Sequence, residues 1–399
     1  MTVYAPASEA EAADVIRQAQ AAHSPLALAG SGTKAGIGRP GNAGHCLTSL
    51  GLQGITLYEP SEMVIAARAG TRLVDVARVL AARGQRLTFE PPEPALLMGT
   101  DGEQTIGGIV AANWSGPRRI MAGACRDSLI GVRFVNGRGE IVKSGGRVMK
   151  NVTGLDFVKL LAGSWGTLGF LTEVTFKVLP VPEAEITLAL AGLDDRRGVA
   201  ALCDAMGSPY GVSGAAHLPD GWHDGGQPQP ALTLLRLEGS AFSVRHRVAA
   251  LGERLAPFGG HSLLEDDDSR LVWSRVRDAA PVAEPRERAV WRISAAPARG
   301  PDIVAAVKAQ REAIHFYDWS GGLVWLSTPA GEDAGEKAVR AAVAQHGGHA
   351  TLMRAPVEVR AAVSVFQPQP EPLARLSREL KRAFDPEGVL EPGRMTAGV

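Results

Sequence analysis

The sequence predicts a two-domain α+β protein, and three observations point there. Glycine is abundant, 47 of 399 residues, and it crowds the stretch before residue 183, where backbone conformation must carry the function. Past Pro180–Glu183 the glycine loops thin out, and strands alternate with amphipathic helices. The chain then closes on a helix, Pro372 to Phe384, followed by Asp385-Pro386-Glu387-Gly388. These observations divide it into residues 1–182, 183–365 and a C-terminal segment, 366–399.

The elements follow in order. Ser8 and Glu11 form a capping-box pattern, and Ala12, Val15, Ile16 and Ala19 then share one apolar helix face. Pro25 to Ala29 reads as a short buried strand running into Gly30-Ser31-Gly32-Thr33-Lys34. Strands are expected near 54–58 and 63–68, edged by Gly or Pro. Thr71 is placed to cap a helix whose face is Leu73, Val76, Ala77 and Leu80, and Gly84 ends it. A proline-rich link, Glu90 to Pro94, precedes a glycine-rich block over 99–123. Leu129 to Val142 reads as a hairpin about Asn136-Gly137-Arg138-Gly139, Phe157 to Ala162 as a helix, and Phe170 to Leu179 as a strand. In the second domain the strand–helix pair Leu232–Leu237 and Val244–Leu255 is echoed by Leu323–Ser327 and Ala338–Gln345, which suggests a weak duplication within 184–355.

Bulk properties exclude several functions. Lys+Arg and Asp+Glu are equal at 42 each, so no net field favours nucleic acid or an anionic membrane. No apolar run reaches the ~20 residues of a membrane-spanning helix, and the N-terminus lacks the pattern of a signal peptide. Cys46, Cys125 and Cys203 are scattered, with no CxxC pair for zinc or an iron–sulfur cluster, and suit a reducing cytoplasm.

Gly30 to Ala35 matches the dinucleotide fingerprint G-x-G-x-x-[GA], but that fingerprint requires a helix opening on its glycines. The next residues, Gly36-Ile37-Gly38-Arg39-Pro40-Gly41, cannot propagate one, and neither Asp nor Glu lies near residue 50 for a ribose. The Walker pattern is also absent. What remains is a nest of backbone N–H groups for an anion, or a plain solvent turn. The second loop, Thr105 to Asn113, combines Gly107 and Gly108 with small residues, which lets a planar ligand and its phosphates approach the main chain. Arg118 and Arg119 follow in a tight turn, either to offset phosphate charge or as a solvated pair.

The order GSGTK, TIGGIVAANWSGPRR, GACRD, NGRGEIV and MKNVTGLDFVKLLAGSWGTLGFLTEVTFKVLP resembles the FAD-binding domain of the vanillyl-alcohol oxidase/PCMH superfamily over residues 1–182. Within it, SGPRR, MKNVTGLD and the short length are most similar to the FAD-binding E subunits of bacterial glycolate oxidases. The resemblance implies a PCMH-type FAD-binding domain of two subdomains, a smaller α+β cap, and a C-terminal segment that returns to the FAD domain. It implies that Gly30, Ser31, Gly32 and Thr33, with Lys34 beside them, hold the FAD pyrophosphate, and that Thr105, Ile106, Gly107, Gly108 and Ala112 complete the cradle. Gly123 and Asp127 match the family's G…D pair, and Leu171, Thr172 and Glu173 its strand beside the adenosine. Gly163 to Gly169 is a structural turn or a direct flavin contact. FAD is expected to be non-covalent, because the loop segments 84–123 contain no histidine.

Catalytic residues stay unassigned. The histidines beyond the first domain do not form H-G-x-G-N-x-H, and His346-Gly347-Gly348-His349 reads more readily as a turn than as metal ligands. Phe384 to Met395 resembles the family's F-D-P-x-x-x-x-N-P-G-R, but Glu391 replaces the Asn, and its charge would oppose a reduced anionic flavin unless Arg394 neutralised it. Three readings follow. The favoured one is the FAD-binding subunit of a complex oxidising 2-hydroxy acids to 2-oxo acids, partnered by a catalytic flavoprotein subunit and an iron–sulfur subunit. It is expected in the cytoplasm, peripheral at the inner membrane only through those partners. The second is a self-sufficient, D-lactate-like dehydrogenase, with Arg292, Arg354 or Arg394 gripping the carboxylate and His315 or Tyr317 as base. The third is a non-catalytic scaffold.

Overall fold

The computed structural model describes residues 1–146, 155–221 and 230–398, so the MKNVTGLD stretch lies outside the described residues except for Leu155 and Asp156. In the first part, β1 (Thr2–Tyr4), β2 (Leu26–Ala29) and β3 (His45–Thr48) form a parallel sheet of order β1-β3-β2. Helix Glu9–Ala21 covers it, with Ala12, Ile16 and Ala19 buried against Leu26 and Leu47. Ser8 caps that helix as expected, its Oγ accepting the Glu11 N–H at 3.2 Å. A second, antiparallel sheet contains β4 (Ile55–Glu59), β5 (Val64–Arg68), β7 (Leu129–Val135), β8 (Ile141–Gly145) and β9 (Phe170–Lys177), in the order β4-β5-β9-β7-β8. Two short strands, β6 (Gln85–Arg86) and β10 (Leu179–Pro180), pair beside it. These are the two subdomains of the expected fold.

One local expectation changes. The residue before helix Leu73–Ala81 is Arg72, not Thr71, and its side chain makes no capping bond. The Thr71 hydroxyl instead bonds both backbone groups of Gly54, at 3.0 and 3.2 Å, tying the helix start to the turn before β4. A short side chain can serve either partner, and the nearby turn wins.

The second part is one eight-stranded antiparallel sheet. Its strands are β11 (Ala184–Ala191), β12 (Val212–Leu218), β13 (Leu232–Gly239), β14 (His261–Glu265), β15 (Ala289–Ser294), β16 (Ile314–Asp318), β17 (Leu323–Thr328) and β18 (His349–Arg354). The order β14-β11-β13-β12-β16-β17-β15-β18 is two copies of one topology joined edge to edge, where His217 of β12 faces Tyr317 of β16. Each copy runs strand, helix, two strands, helix, strand, the split βαβ plan. Helices Asp195–Met206 and Ala241–Leu255 serve the first copy, Gly300–Lys308 and Glu336–His346 the second. The duplication suggested by the sequence is therefore complete at the level of topology.

Strand alternation gives the sheet two different faces. One packs on these helices, with Trp291, Leu326 and Leu352 on one half and Leu188, Leu235 and Leu237 on the other. The opposite face, carrying Leu234, Phe316 and Trp325, joins Phe89, Val110 and Trp114 of the first part in one core. A polar network crosses that junction. Arg236 of β13, fully buried, donates to both oxygens of Glu90 at 3.0 and 2.9 Å. Arg118 bridges back to Glu238 at 2.8 Å and to Glu90 at 3.0 Å, and Arg86 reaches Glu238 at 2.7 Å. Arg118 thus neither offsets phosphate charge nor faces solvent; it belongs to this network. Burial alone would raise the Glu90 and Glu238 carboxyls, but the adjacent guanidiniums, Arg236 foremost, outweigh it and hold both below the usual range.

Removing one member of such a network strands buried charge, at a cost of ~3–5 kcal/mol. Glu90→Ala should therefore lower the thermal midpoint far more than Glu62→Ala at an exposed site, and equal midpoints would remove the network from the junction. Since the two folded-state pKa values are depressed, the contribution is full above the ordinary carboxylate range. It should be lost as pH falls below that range.

Candidate functional site

The two glycine loops touch where Gly30 meets the Thr105 side chain. β2 delivers the chain into Gly30–Ala35, and Thr105 caps helix Ile106–Ala112, its Oγ1 accepting the Gly108 N–H at 3.3 Å. Gly30 lies directly on that cap, so an added Cβ would stand 2.0 Å from Thr105 Oγ1. Gly107 is pressed as closely on Ala69, where a Cβ would come within 2.6 Å of the Ala69 methyl, and its N–H donates to Ala69 O at 2.8 Å. Gly32 has a different task. It holds φ of +80°, and nothing lies within 4 Å of an added Cβ, so the residue serves the left-handed turn and faces open space. Thr48 Oγ1 donates to Gly30 O at 2.9 Å and Ser31 Oγ to Glu103 O at 2.6 Å, which fixes the loop from both sides.

These loops border a cavity of about 530 Å³, within the usual range of cofactor sites. Of the residues singled out from sequence, Gly30, Ser31, Gly32, Thr33, Lys34, Thr105, Gly107, Gly108, Ala112 and Leu171 line it. Ile106, Gly123, Asp127, Thr172 and Glu173 do not. Ile106 is buried in the junction core, and Thr172 donates to Glu9 at 2.5 Å on the far side of its strand. Asp127 instead accepts the Ala124 N–H at 2.8 Å, closing the turn that Gly123 opens at φ +81°. Glu173 lies in register with Arg68 and Arg133 across the sheet.

The turn at Gly163–Gly169 is structural and lines the cavity as well. Trp165 holds φ of +55° and donates its N–H to Ala111 O at 2.8 Å, while Trp165, Gly166 and Gly169 border the space. Sequence reasoning missed Arg39, Cys46 and Arg360, which also line it. Arg360 donates to Gly38 O at 2.8 Å and Arg39 to Val363 O at 3.0 Å, pairings more than three hundred residues apart that no local pattern reveals.

The C-terminal segment closes the wall. Leu26 donates its N–H to Val389 O at 2.7 Å, and Glu391 returns its own to Leu26 O at 3.0 Å, so residues 389–391 extend beside β2. Asp385 makes this turn possible by accepting the N–H groups of Val389 and Leu390 at 3.0 and 2.8 Å. Buried Lys381 neutralises it at 2.6 Å. Glu391, where an Asn was expected, accepts the Leu28 N–H at 2.8 Å and pairs with Arg394 at 2.7 Å. Burial pushes its carboxyl up, and Arg394 opposes that shift. Lys34 is buried beside Trp114, 5.7 Å from the ring centroid, and burial pushes its ammonium down to about 8, with Glu93 opposing.

Of the residues proposed for a self-sufficient dehydrogenase, Arg394 lines the cavity, whereas His315, Tyr317 and Arg354 are placed otherwise. His315 and Tyr317 point to the helix-covered face of the cap sheet, where Asp195 accepts from them at 2.9 and 2.8 Å. Arg354 is spent on the carbonyls of Leu97, Ala283, Pro285 and Arg288. Among the described residues no group of three or more His, Cys, Asp or Glu could hold a metal ion.

Comparison with known proteins adds four findings. The family described as FAD binding domain matches residues 2–145. Glycolate oxidase subunit GlcE of Escherichia coli (strain K12) is 33% identical over 383 residues, covering 96% of this chain and 95% of that protein. Glycolate oxidase subunit GlcD of Bacillus subtilis (strain 168) is 31% identical over 187 residues, 47% of this chain and 38% of that one. In fold, the chain is similar to 4-ethylphenol oxidase from Gulosibacter chungangensis, with a TM-score of 0.72 at 14% identity, covering 99% of this chain and 88% of that one.

The contact between the loops sets the first test of the site. Gly30→Ala should cost ~1–3 kcal/mol through overpacking against Thr105, whereas Gly44→Ala, where nothing lies within 4 Å, should be near neutral. Equal thermal midpoints for the two variants would mean that the loops do not meet at Gly30.

Proposed function

The chain belongs to the family of the FAD-binding glycolate oxidase E subunits, and from that premise we propose that it is the FAD-binding subunit of a complex oxidising 2-hydroxy acids to 2-oxo acids. It is an FAD-dependent oxidoreductase of the class acting on CH–OH groups. The observation that carries the proposal is the cavity bounded at once by both glycine loops and by Glu391 and Arg394 of the returning C-terminus.

The cavity suits FAD. The glycines at 30 and 107 bring two stretches of main chain together, and Gly32 opens toward the space with no side chain in the way. Its neighbours Gly30, Ser31 and Thr33 would present N–H groups to the pyrophosphate, with Lys34 supplying the cation; Gly107 and Gly108, whose own N–H groups are engaged by Ala69 and Thr105, would line the opposite side with bare main chain. Bound there, FAD supplies the acceptor for the two electrons of the alcohol oxidation. Glu391 brings no net charge to the site, because Arg394 neutralises it at 2.7 Å. The pair instead locks the C-terminal wall to β2 through the Leu28 N–H.

Partners supply what this chain lacks. His315 and Tyr317 are turned away from the first domain, so neither offers a base to a substrate at the cavity. The three cysteines, Cys46, Cys125 and Cys203, are free and dispersed, so electrons would leave through an iron–sulfur subunit. A sister flavoprotein subunit would supply the catalytic base. No described helix is long and apolar enough to cross a membrane, which fits attachment to the inner membrane through such partners.

Two outcomes test this reading. Gly32→Asp places a negative side chain in the anion nest, so the variant should lose flavin absorbance on gel filtration while the wild type keeps it. Retention by the variant would misplace the pyrophosphate. The isolated chain should also reduce a dye with glycolate well below ~1 s⁻¹, since a positioned base typically contributes ~10²–10⁴-fold. Ordinary enzymatic turnover would favour the self-sufficient dehydrogenase.

A third outcome concerns Lys34, whose charged form favours the dianionic pyrophosphate. FAD affinity should be greatest below pH about 8 and weaken above it, with a flat profile in Lys34→Met. Identical profiles in the two proteins would remove Lys34 from the cradle.

A further inference from the structure

Two guanidinium groups at the domain junction find no acceptor among the described residues. Arg119 begins the short helix Arg119–Ala122 that follows the second glycine loop. Arg292 lies in β15, in register with Trp325, on the sheet face turned to the first domain. Both lie over the indole of Trp319, their guanidinium carbons 4.6 and 4.8 Å from the ring centroid. That ring is itself a fixed bridge between the domains, because its N–H donates to Gly116 O at 3.1 Å. Arg118, Arg236 and Arg354 around them are each engaged by carboxylates or carbonyls. The guanidinium groups of Arg119 and Arg292 make no hydrogen bond to any described residue.

Nearby groups do not neutralise the pair. Asp318 accepts the Trp319 N–H at 2.7 Å, and burial pushes its carboxyl up to about 7, so it is a weak counter-ion. Burial, and then Arg119, push Arg292 down to about 10, as expected of a cation taken out of water beside a second one. His349 sits opposite Ser294 at the start of β18 and is pushed down by burial, then by Arg292 and Arg119, so it adds no third cation at neutral pH. Two unpaired cations held in one half-buried place are costly unless an anion binds there.

We propose that Arg119 and Arg292, set on Trp319, form a binding site for a small organic carboxylate. Planar guanidinium forks match a planar carboxylate with paired hydrogen bonds. The aromatic shelf of Trp319, with the stacked Phe316 and Trp325 beside Arg292, suits a short carbon skeleton better than a strongly hydrated inorganic ion. Naming 2-hydroxy and 2-oxo acids as the ligands rests on the function proposed above; the carboxylate site itself rests on this geometry.

Calorimetric titration of the full FAD-containing chain with glycolate, glyoxylate and sodium sulfate tests the site. The wild type should bind glycolate or glyoxylate, and Arg119→Met and Arg292→Met should each weaken binding by about tenfold or more. Flavin absorbance and thermal midpoint should match the wild type in every variant. Arg292→Lys, which keeps the charge and loses the fork, should also bind more weakly, and it stands in should the methionine variant fail to fold. Failure of the wild type to bind either acid at millimolar concentration would overturn the proposal. So would unchanged affinity in either arginine variant, or sulfate binding as tightly as glycolate. A chain that keeps FAD but binds neither acid loses this site alone. A chain that binds both acids through the two arginines but retains no FAD loses the proposed function alone.

Discussion

The cradle depends on two glycines whose missing side chains let each loop close on its neighbour. At Gly30 and Gly107 a single methyl group would collide with the Thr105 side chain or with Ala69, so the first loop, the capped helix and the turn after β5 can meet only because these two positions carry no side chain. Because the loops meet there, Thr105 can cap its helix and abut the first loop together. Gly32 is then left facing the cavity with room to spare. Charged side chains play a smaller part: Lys34 is the cation beside the nest, while Arg118, two turns beyond the second loop, belongs to the domain junction.

The C-terminus contributes by a different physical means. Residues 389–391 extend beside β2, and the energetic expense of bending the chain to that point is met by Asp385, whose carboxylate satisfies two backbone donors while Lys381 balances its charge. Glu391 then accepts the Leu28 N–H and holds Arg394, which reaches the carbonyls of Lys34 and Ile37. The substitution for Asn thus replaces a neutral amide with an ion pair of no net charge, which keeps the wall while removing a donor.

Much of the first domain was legible in the sequence because its signals are local. The Ser8–Glu11 cap, the hairpin turn closed by Asn136, and the glycine spacing of both loops each lie within a few residues, and each appears where expected. The cap domain was less legible. Its inner strands, such as β12 and β16, are buried on both faces while Ser213, His217, His315 and Asp318 interrupt their apolar residues, so periodicity did not mark them as strands. Contacts between distant residues were invisible. Arg118 and Glu238 are 120 residues apart, and Arg360 and Gly38 are 322 apart. His315 and Tyr317 looked like candidate bases until alternation along β16 turned them toward Asp195, on the helix-covered face.

A crystal structure of the FAD-loaded chain tests the central claim most directly. The account predicts pyrophosphate oxygens within hydrogen-bonding distance of backbone N–H groups among Gly30–Thr33 and in contact with the main chain at Gly107 or Gly108, with Glu391 and Arg394 on the cavity wall. A dinucleotide bound elsewhere, or contacting one loop alone, would contradict it.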